Sequence, residues 1–262
     1  CYNKIMAFPF FLFVLGWTFS ALLNYFADVL PIKRRLVAPF CLNCEARFSI
    51  FNYLFFPRLC SSCGGRRSSR TYVVEILFVI ITFWLWEASE YYPMPFWLAE
   101  ILVFYLGLVV VIDLEHRLIL HQTTFLGVGL GAFAGIWQHG WVATLIGGVV
   151  GFSVVLLLYY LGYLLVKLIS KWRKEEINEE ALGFGDVSLS GVLGLMVGFP
   201  KIILSLVISI VLGGLISFIY MVVSILTNRY RSFEAIPYAP FLISGGILLL
   251  FFSDYIVSIL KR

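Results

Sequence analysis

Two sets of side chains in this sequence have types and spacings that could do chemistry: a quartet of cysteines and a pair of isolated aspartates. Cys41 and Cys44, then Cys60 and Cys63, form two Cys-x-x-Cys pairs separated by fifteen residues. Each pair can set two thiolates on one side of a turn, and four thiolates complete a tetrahedral shell, so the spacing predicts a structural Zn2+ site. Gly64 and Gly65 after the second pair suit the tight turn of such a knuckle. A closed four-sulfur shell leaves no position for water, so this metal is expected to hold the chain together rather than to catalyse. Two disulfides are the competing reading, disfavoured because the segment is expected to face a reducing cytoplasm. Cys1 stands outside the pattern.

The chain has four aspartates. Asp28 and Asp254 sit at the ends of apolar runs, where water and head groups can solvate them, and read as interface polarity. Asp113 and Asp186 differ. Asp113 closes the run Leu108-Val109-Val110-Val111-Ile112, and Asp186 opens another within Gly183-Phe184-Gly185-Asp186. A carboxylate at the hydrocarbon boundary costs several kcal/mol unless it is paired, neutralised or facing water, so both are functional candidates. Two carboxylates held close together cannot both ionise cheaply and come to share a proton. The charged one can then deprotonate a water attacking a peptide carbonyl while the protonated one donates to the carbonyl oxygen. Gly183 and Gly185 would let a substrate backbone approach Asp186 closely and let the helix start unwind.

The elements that must position these groups follow from composition. With 61% hydrophobic, 18% aromatic and 13% charged residues, the chain departs from soluble globular composition and reads as an all-α polytopic membrane protein. About eight transmembrane helices are expected, near 7–27, 71–90, 96–113, 121–138, 142–168, 186–199, 201–226 and 238–257. The first reads as a retained anchor rather than a cleaved signal. The expected division is 1–27, the first span; 28–70, a small zinc-binding cytoplasmic insert; and 71–262, a membrane domain with seven further spans carrying the aspartates. With the N-terminus outside, loops on one side hold 15 of the 19 Lys and Arg residues, which places that side in the cytoplasm and both termini outside. The net charge of +4 is thus a topology signal and not one for nucleic acid. Asp113 and Asp186 then lie at the cytoplasmic ends of their spans. The mixed-charge run from Ser170 to Ala181 reads as a solvated helix extension. Glu87, Glu90 and Glu100 read as interface residues near outer span ends, Glu115 and His116 as a wet rim, and His121 and His139 as structural.

Taken in order, Ala21-Leu22-Leu23-Asn24, the Cys41 to Cys63 quartet, Arg70 with Glu75, Ile112-Asp113-Leu114-Glu115-His116-Arg117, Gly183-Phe184-Gly185-Asp186 and Ile236-Pro237-Tyr238-Ala239-Pro240-Phe241 resemble the type IV prepilin peptidase family along nearly the whole chain. Presenilin-like proteases share Gly-x-Gly-Asp but lack the cysteine insert. The resemblance implies an integral protein of the bacterial cytoplasmic membrane that cuts a basic leader from prepilins or pseudopilins after a Gly, at the cytoplasmic face. Members with the tetracysteine insert also methylate the new N-terminus with S-adenosylmethionine. By matching positions, Asp113 and Asp186 would be the protease pair, and Asn24, Arg70 and Glu75 would serve the methyl-transfer side. The chain departs from the usual pattern at Leu42, Thr71-Tyr72, Leu120-His121 and Tyr238-Ala239-Pro240, none of which removes a catalytic atom. The expected partners are a prepilin or pseudopilin and the lipid bilayer, with a homo-oligomer left open. Competing readings are a peptidase whose insert only docks substrate, a proton- or ion-coupled transporter using the two aspartates, and a scaffold of a pilus assembly platform.

Overall fold

The computed structural model describes the backbone of residues 2–55, 58–173, 182–227 and 237–260, with side chains from residue 8 to 253 in those ranges except Trp172 and Arg173, and at Ile256. Expectations placed on Cys1, Arg229, Arg231, Ile236, Lys261, Arg262, the mixed-charge run from Lys174 to Ala181, and the side chains of Lys4 and Asp254 lie outside the described residues.

The described residues form helices α1 (Tyr2–Lys33), α2 (Ile50–Leu54), α3 (Arg70–Glu87), α4 (Phe96–His116), α5 (His121–Arg173), α6 (Phe184–Val197), α7 (Lys201–Leu226) and α8 (Ala239–Leu260). Eight helices are present, but they are not eight equal spans. α2 is a five-residue turn inside the insert. α5 has 53 residues, about 80 Å if straight, far more than the roughly 30 Å of hydrocarbon. It is two arms joined at Gly140, whose φ of 81° and ψ of 166° only glycine adopts readily. The eight spans read from the sequence therefore correspond to α1, α3, α4, the two arms of α5, α6, α7 and α8. Four helices (α1, α4, α5 and α7) are long and apolar enough to cross a membrane, and α6 and the first part of α8 are shorter apolar helices.

The chain divides into two compact units, residues 1–90 with 94–112 and residues 91–93 with 113–262. This division does not follow the sequence boundary at residue 70. α3 and most of α4 pack with α1 and the insert, because aromatic and small residues interlock there. Phe104 meets the rings of Phe19 and Phe78 edge to face, with centroids 5.5 and 6.5 Å apart, while Phe19 and Phe78 stack with centroids 6.3 Å apart. A Cβ on Gly16 would come within 2.8 Å of the Thr82 hydroxyl oxygen, and one on Gly107 within 3.2 Å of Leu23. Glu100, expected at an outer interface, is instead 2% exposed and accepts a 2.7 Å hydrogen bond from Thr82. Its helical face turns toward α3 rather than toward water. Glu87 and Glu90 are exposed, as read.

In the second unit the central contact is between α5 and α6, made backbone to backbone. A Cβ on Gly147 would meet the Gly194 carbonyl oxygen at 2.4 Å, one on Gly194 the Gly147 oxygen at 2.2 Å, and one on Gly151 the Ser190 oxygen at 2.4 Å. Small residues at this spacing let helices approach closely where lipid supplies no hydrophobic drive. The Ser190 hydroxyl donates to the Gly151 carbonyl at 3.0 Å, tying the seam. Leu145, Ile146, Val149, Val207, Val211, Leu215 and Phe218 turn outward and exposed, as a lipid-facing surface requires. Gly147→Ala is expected to destabilise the protein by about 1–3 kcal/mol through overpacking, read as a lowered thermal transition in detergent. Gly129→Ala, where a Cβ would meet nothing within 4 Å, is expected to leave that transition nearly unchanged.

Candidate active site and metal centre

Asp113 sits on the last turn of α4 and Asp186 in the first turn of α6, and both are buried. The two carboxylates lie within electrostatic reach of one another. Asp113 Oδ2 accepts a 3.2 Å hydrogen bond from the backbone N–H of Ala239 at the start of α8, where orphan N–H groups and the helix dipole favour an anion. Arg117, two residues nearer the loop than Glu115, also acts on Asp113. Asp186 Oδ2 accepts from the N–H of Gly183 at 3.3 Å, a capping interaction that starts α6 at Phe184. Tyr238, next to Ala239, lies within electrostatic reach of Asp186. The helix start is formed, not unwound. The space left by Gly185 is taken by the chain itself, since a Cβ there would come within 2.8 Å of Ile119. Gly183 has ordinary room, with Asp186 Oδ2 3.5 Å from such a Cβ. The motif thus lets the loop after α4 approach α6.

In the first unit the four cysteine Sγ atoms lie within 4.8 Å of one another, with Cys41 and Cys63 3.6 Å apart and Cys44 and Cys60 3.7 Å apart. A tetrahedral site with Zn–S near 2.3 Å has S···S edges of about 3.8 Å, so the cluster fits that ion. Disulfide sulfurs would be about 2.05 Å apart. The two knuckles repeat one design. Cys41 N–H donates to Ala46 and Glu45 N–H to Cys41; Cys60 N–H donates to Gly65 and Gly64 N–H to Cys60. The residue four after each first cysteine is left-handed, Gly64 at φ 66° and Glu45 at φ 58°; glycine adopts that conformation freely and glutamate at a cost of about 1–2 kcal/mol. The N–H groups of Cys63 and Ser62 hold the Cys60 thiol down to about 6, favouring the thiolate that a metal needs.

The insert is anchored to its helices by partly buried ion pairs. The stem of the second knuckle, where Leu59 bridges Arg66, is flanked by Arg58 and Arg67, and Arg67 N–H reaches the Arg58 carbonyl. Arg58 donates to both oxygens of Glu75 on α3, at 2.7 and 3.0 Å. Arg67 donates to Asp28 on α1 at 2.7 Å while lying 3.6 Å over the Tyr53 ring. Tyr53 donates to Asp28 at 2.6 Å, and Arg70 pairs with the other oxygen of Asp28. Burial and the Asp28 charge push the Tyr53 phenol well above its ordinary range. Asp28, expected to be a solvated interface residue, is the centre of this network, because the insert folds back over the end of α1. Asn24 donates to the Thr71 carbonyl at 3.2 Å.

Residues 100–218 match the type IV leader peptidase family. This chain is similar to that family over fewer than half of its 262 residues. It is 25% identical over 236 residues to a prepilin leader peptidase/N-methyltransferase of Bacillus subtilis (strain 168), covering 87% of this chain and 85% of that protein. Proteins of the same name from Legionella pneumophila (25% identity; 87% of this chain, 77% of that one) and Pseudomonas putida (27%; 85% and 75%) are similar. No solved structure matches the chain. The matched segment contains both Asp113 and Asp186, and the wider similarity to the curated relatives covers most of the chain.

Sequence reasoning did not assign roles to Ala239 and Tyr238, although the motif containing them was recognised, nor to Tyr53, Arg58 and Arg67, and it read Asp28 as interface polarity. The signal available for the arginines was their symmetric placement about the second Cys-x-x-Cys stem. Cys41→Ser or Cys60→Ser is expected to lower bound zinc from about one ion per chain to near zero, measured by atomic spectroscopy. Asp28→Asn, which leaves two buried guanidinium groups facing a neutral amide, is expected to cost about 3 kcal/mol, seen as faster proteolysis of the insert.

Proposed function

We propose that this chain removes the leader from type IV prepilins or pseudopilins by aspartyl hydrolysis at Asp113 and Asp186, and then methylates the exposed N-terminus. The observation that carries the reading is the placement of Asp113 and Asp186, from helices far apart in sequence, within electrostatic reach inside one unit, with the α8 N-terminus on Asp113. The scissile peptide, on the C-terminal side of a Gly, enters on the cytoplasmic side with its basic leader, and both chain termini lie outside.

One carboxylate takes a proton from the attacking water as its oxygen bonds to the carbonyl carbon. The other carboxyl gives its proton to the carbonyl oxygen. Collapse of the tetrahedral centre breaks the C–N bond, and the leaving amine takes up the proton first removed from water. Both residues are already tied to backbone N–H groups, Ala239 for Asp113 and Gly183 for Asp186, so little reorganisation is needed during reaction. Gly185 serves this arrangement by admitting Ile119, and Gly183 by capping α6.

The 28–70 insert, with Asn24, Arg70 and Glu75 on the adjoining helices, forms the methyl-transfer side. S-adenosylmethionine bound there would supply an electrophilic methyl group for the new N-terminal amine. Zn2+ on Cys41, Cys44, Cys60 and Cys63 holds the insert in shape. Arg70 acts through Asp28 and Glu75 through Arg58, so these two position the insert.

Asp113→Asn and Asp186→Asn are each expected to lower leader cleavage by about a thousandfold, measured by mass spectrometry on a matched prepilin; full activity in either would defeat the mechanism. Zinc removal with a chelator is expected to suppress methylation while cleavage continues, leaving a cleaved product without the 14 Da mass increase expected for one methyl group, by the same measurement.

A further inference from the structure

One turn of the insert runs back along the shaft of α1. Tyr53 of α2 donates to Asp28, and two residues further on the Phe55 ring lies 5.5 Å from the ring of Trp17. Asp28 and Trp17 are eleven positions apart on α1, about 16 Å along its axis. α1 is long and apolar enough to cross a membrane and has 32 residues, of which the hydrocarbon takes about 20. Every stretch of about 20 residues within α1 contains Trp17, so Trp17 lies in the hydrocarbon wherever the helix is centred. Phe55, packed on it, lies at that depth too.

The chain is pinned on both sides of Phe55, by Tyr53 at Asp28 and by Arg58, which donates to Glu75 on α3 and lies over the Tyr72 ring. Tyr53 is buried in the small core of the insert, whereas Ile50, Phe51 and Phe55 are 68%, 67% and 46% exposed. The Phe51 and Phe55 rings pack on each other at 5.1 Å. No charged side chain falls between Ser49 and Phe55, and the next one, Arg58, is neutralised by Glu75. The patch is continuous with lipid-facing surface on either side: Phe13 and Val14 of α1, one turn from Trp17, are exposed, and so is Ile76 of α3, one turn from Tyr72. Acyl chains are the occupant this fits, since apolar side chains at hydrocarbon depth meet them without giving up a hydrogen bond. A second protein chain fits poorly: three side chains of this size bury on the order of 500 Å2, short of the roughly 800 Å2 per partner of a stable interface.

We infer that Ile50, Phe51 and Phe55 form an apolar wedge that enters the bilayer beside α1 and meets lipid acyl chains. The α2 turn is immersed while the charged network around Asp28, eleven positions further along α1, stays toward the membrane surface. The insert is thereby held at a fixed height against the membrane instead of standing free in water. The inference rests on α1 crossing the membrane and is independent of the peptidase and methyl-transfer readings.

The test introduces benzoylphenylalanine, which keeps the phenyl ring and adds a photoreactive ketone, in place of Phe51 or of Phe55 in the full chain, held in vesicles of phosphatidylethanolamine and phosphatidylglycerol. The same side chain in place of Phe13, exposed on α1, is the lipid-facing reference, and in place of Arg35, exposed just beyond the end of α1, the water-facing one. A thermal transition matching that of the wild type shows that each labelled chain is folded. On illumination, positions 51 and 55 are expected to gain the mass of one lipid at yields close to that at position 13, with none at position 35, and fragmentation is expected to place the new bond on an acyl chain. A cross-link to a second protein chain, a bond on the head group, or no adduct at 51 and 55 while position 13 reacts would each overturn the wedge.

Discussion

In a chain so poor in charge, the cost of burying an ionised group governs where chemistry can be placed. A carboxylate withdrawn from water survives only with a specific partner, and each buried acid described here has one. Asp113 has the α8 N-terminus, Asp186 its own cap at Gly183, Asp28 two arginines and a tyrosine, Glu75 Arg58, and Glu100 the Thr82 hydroxyl. Apart from the local Gly183 cap, these partners lie 17 to 126 positions away in the sequence. The helices must therefore assemble before the acids are tolerable, and the acids in turn register the helices against one another.

For the aspartate pair, that registration depends on small residues. α6 has 14 residues, about 21 Å, shorter than the hydrocarbon layer it is embedded beside. Its height is fixed by glycine contacts with α5 at Gly147, Gly148 and Gly151, and with the other arm at Gly131 and Gly135. The break at Gly140 lets both arms reach it. Asp186 is carried at the start of α6, and Gly185 admits Ile119 from the loop that follows Asp113 and Arg117. Side chains of any size in this seam would move one carboxylate relative to the other, and reactivity of a pair is steep in separation.

The insert solves a different problem. Between α1 and α3 there is too little chain to build a hydrophobic core, and the buried cluster of Cys41, Phe48, Tyr53 and Cys60 with Tyr25 and Leu54 is small. Four cysteine sulfurs gathered at one point, an arrangement that could hold a metal ion, can take the place of a core. Two matched knuckles bring them there, and Arg58 and Arg67, facing each other at the open end of one stem, fasten the result to α3 and α1. The second cysteine pair and both arginines thus share a single hairpin.

The membrane class, the helical segments, the metal-type cysteine spacing and the candidacy of Asp113 and Asp186 were all legible in the residues, because each depends on local composition or on spacing along the chain. What depends on packing was not. Asp28 read as solvated because its partners, Arg67, Arg70 and Tyr53, are brought to it only when the insert folds back. Glu100 read as an interface residue because nothing in α4 alone reveals that it turns toward Thr82. The glycines of Gly183-Phe184-Gly185-Asp186 read as room for a substrate, whereas Gly185 is filled by Ile119. The α8 N–H on Asp113 joins residues 126 positions apart in sequence. Amino-acid type announces which groups are too costly to bury without a reason; only the tertiary structure decides which partner meets that cost.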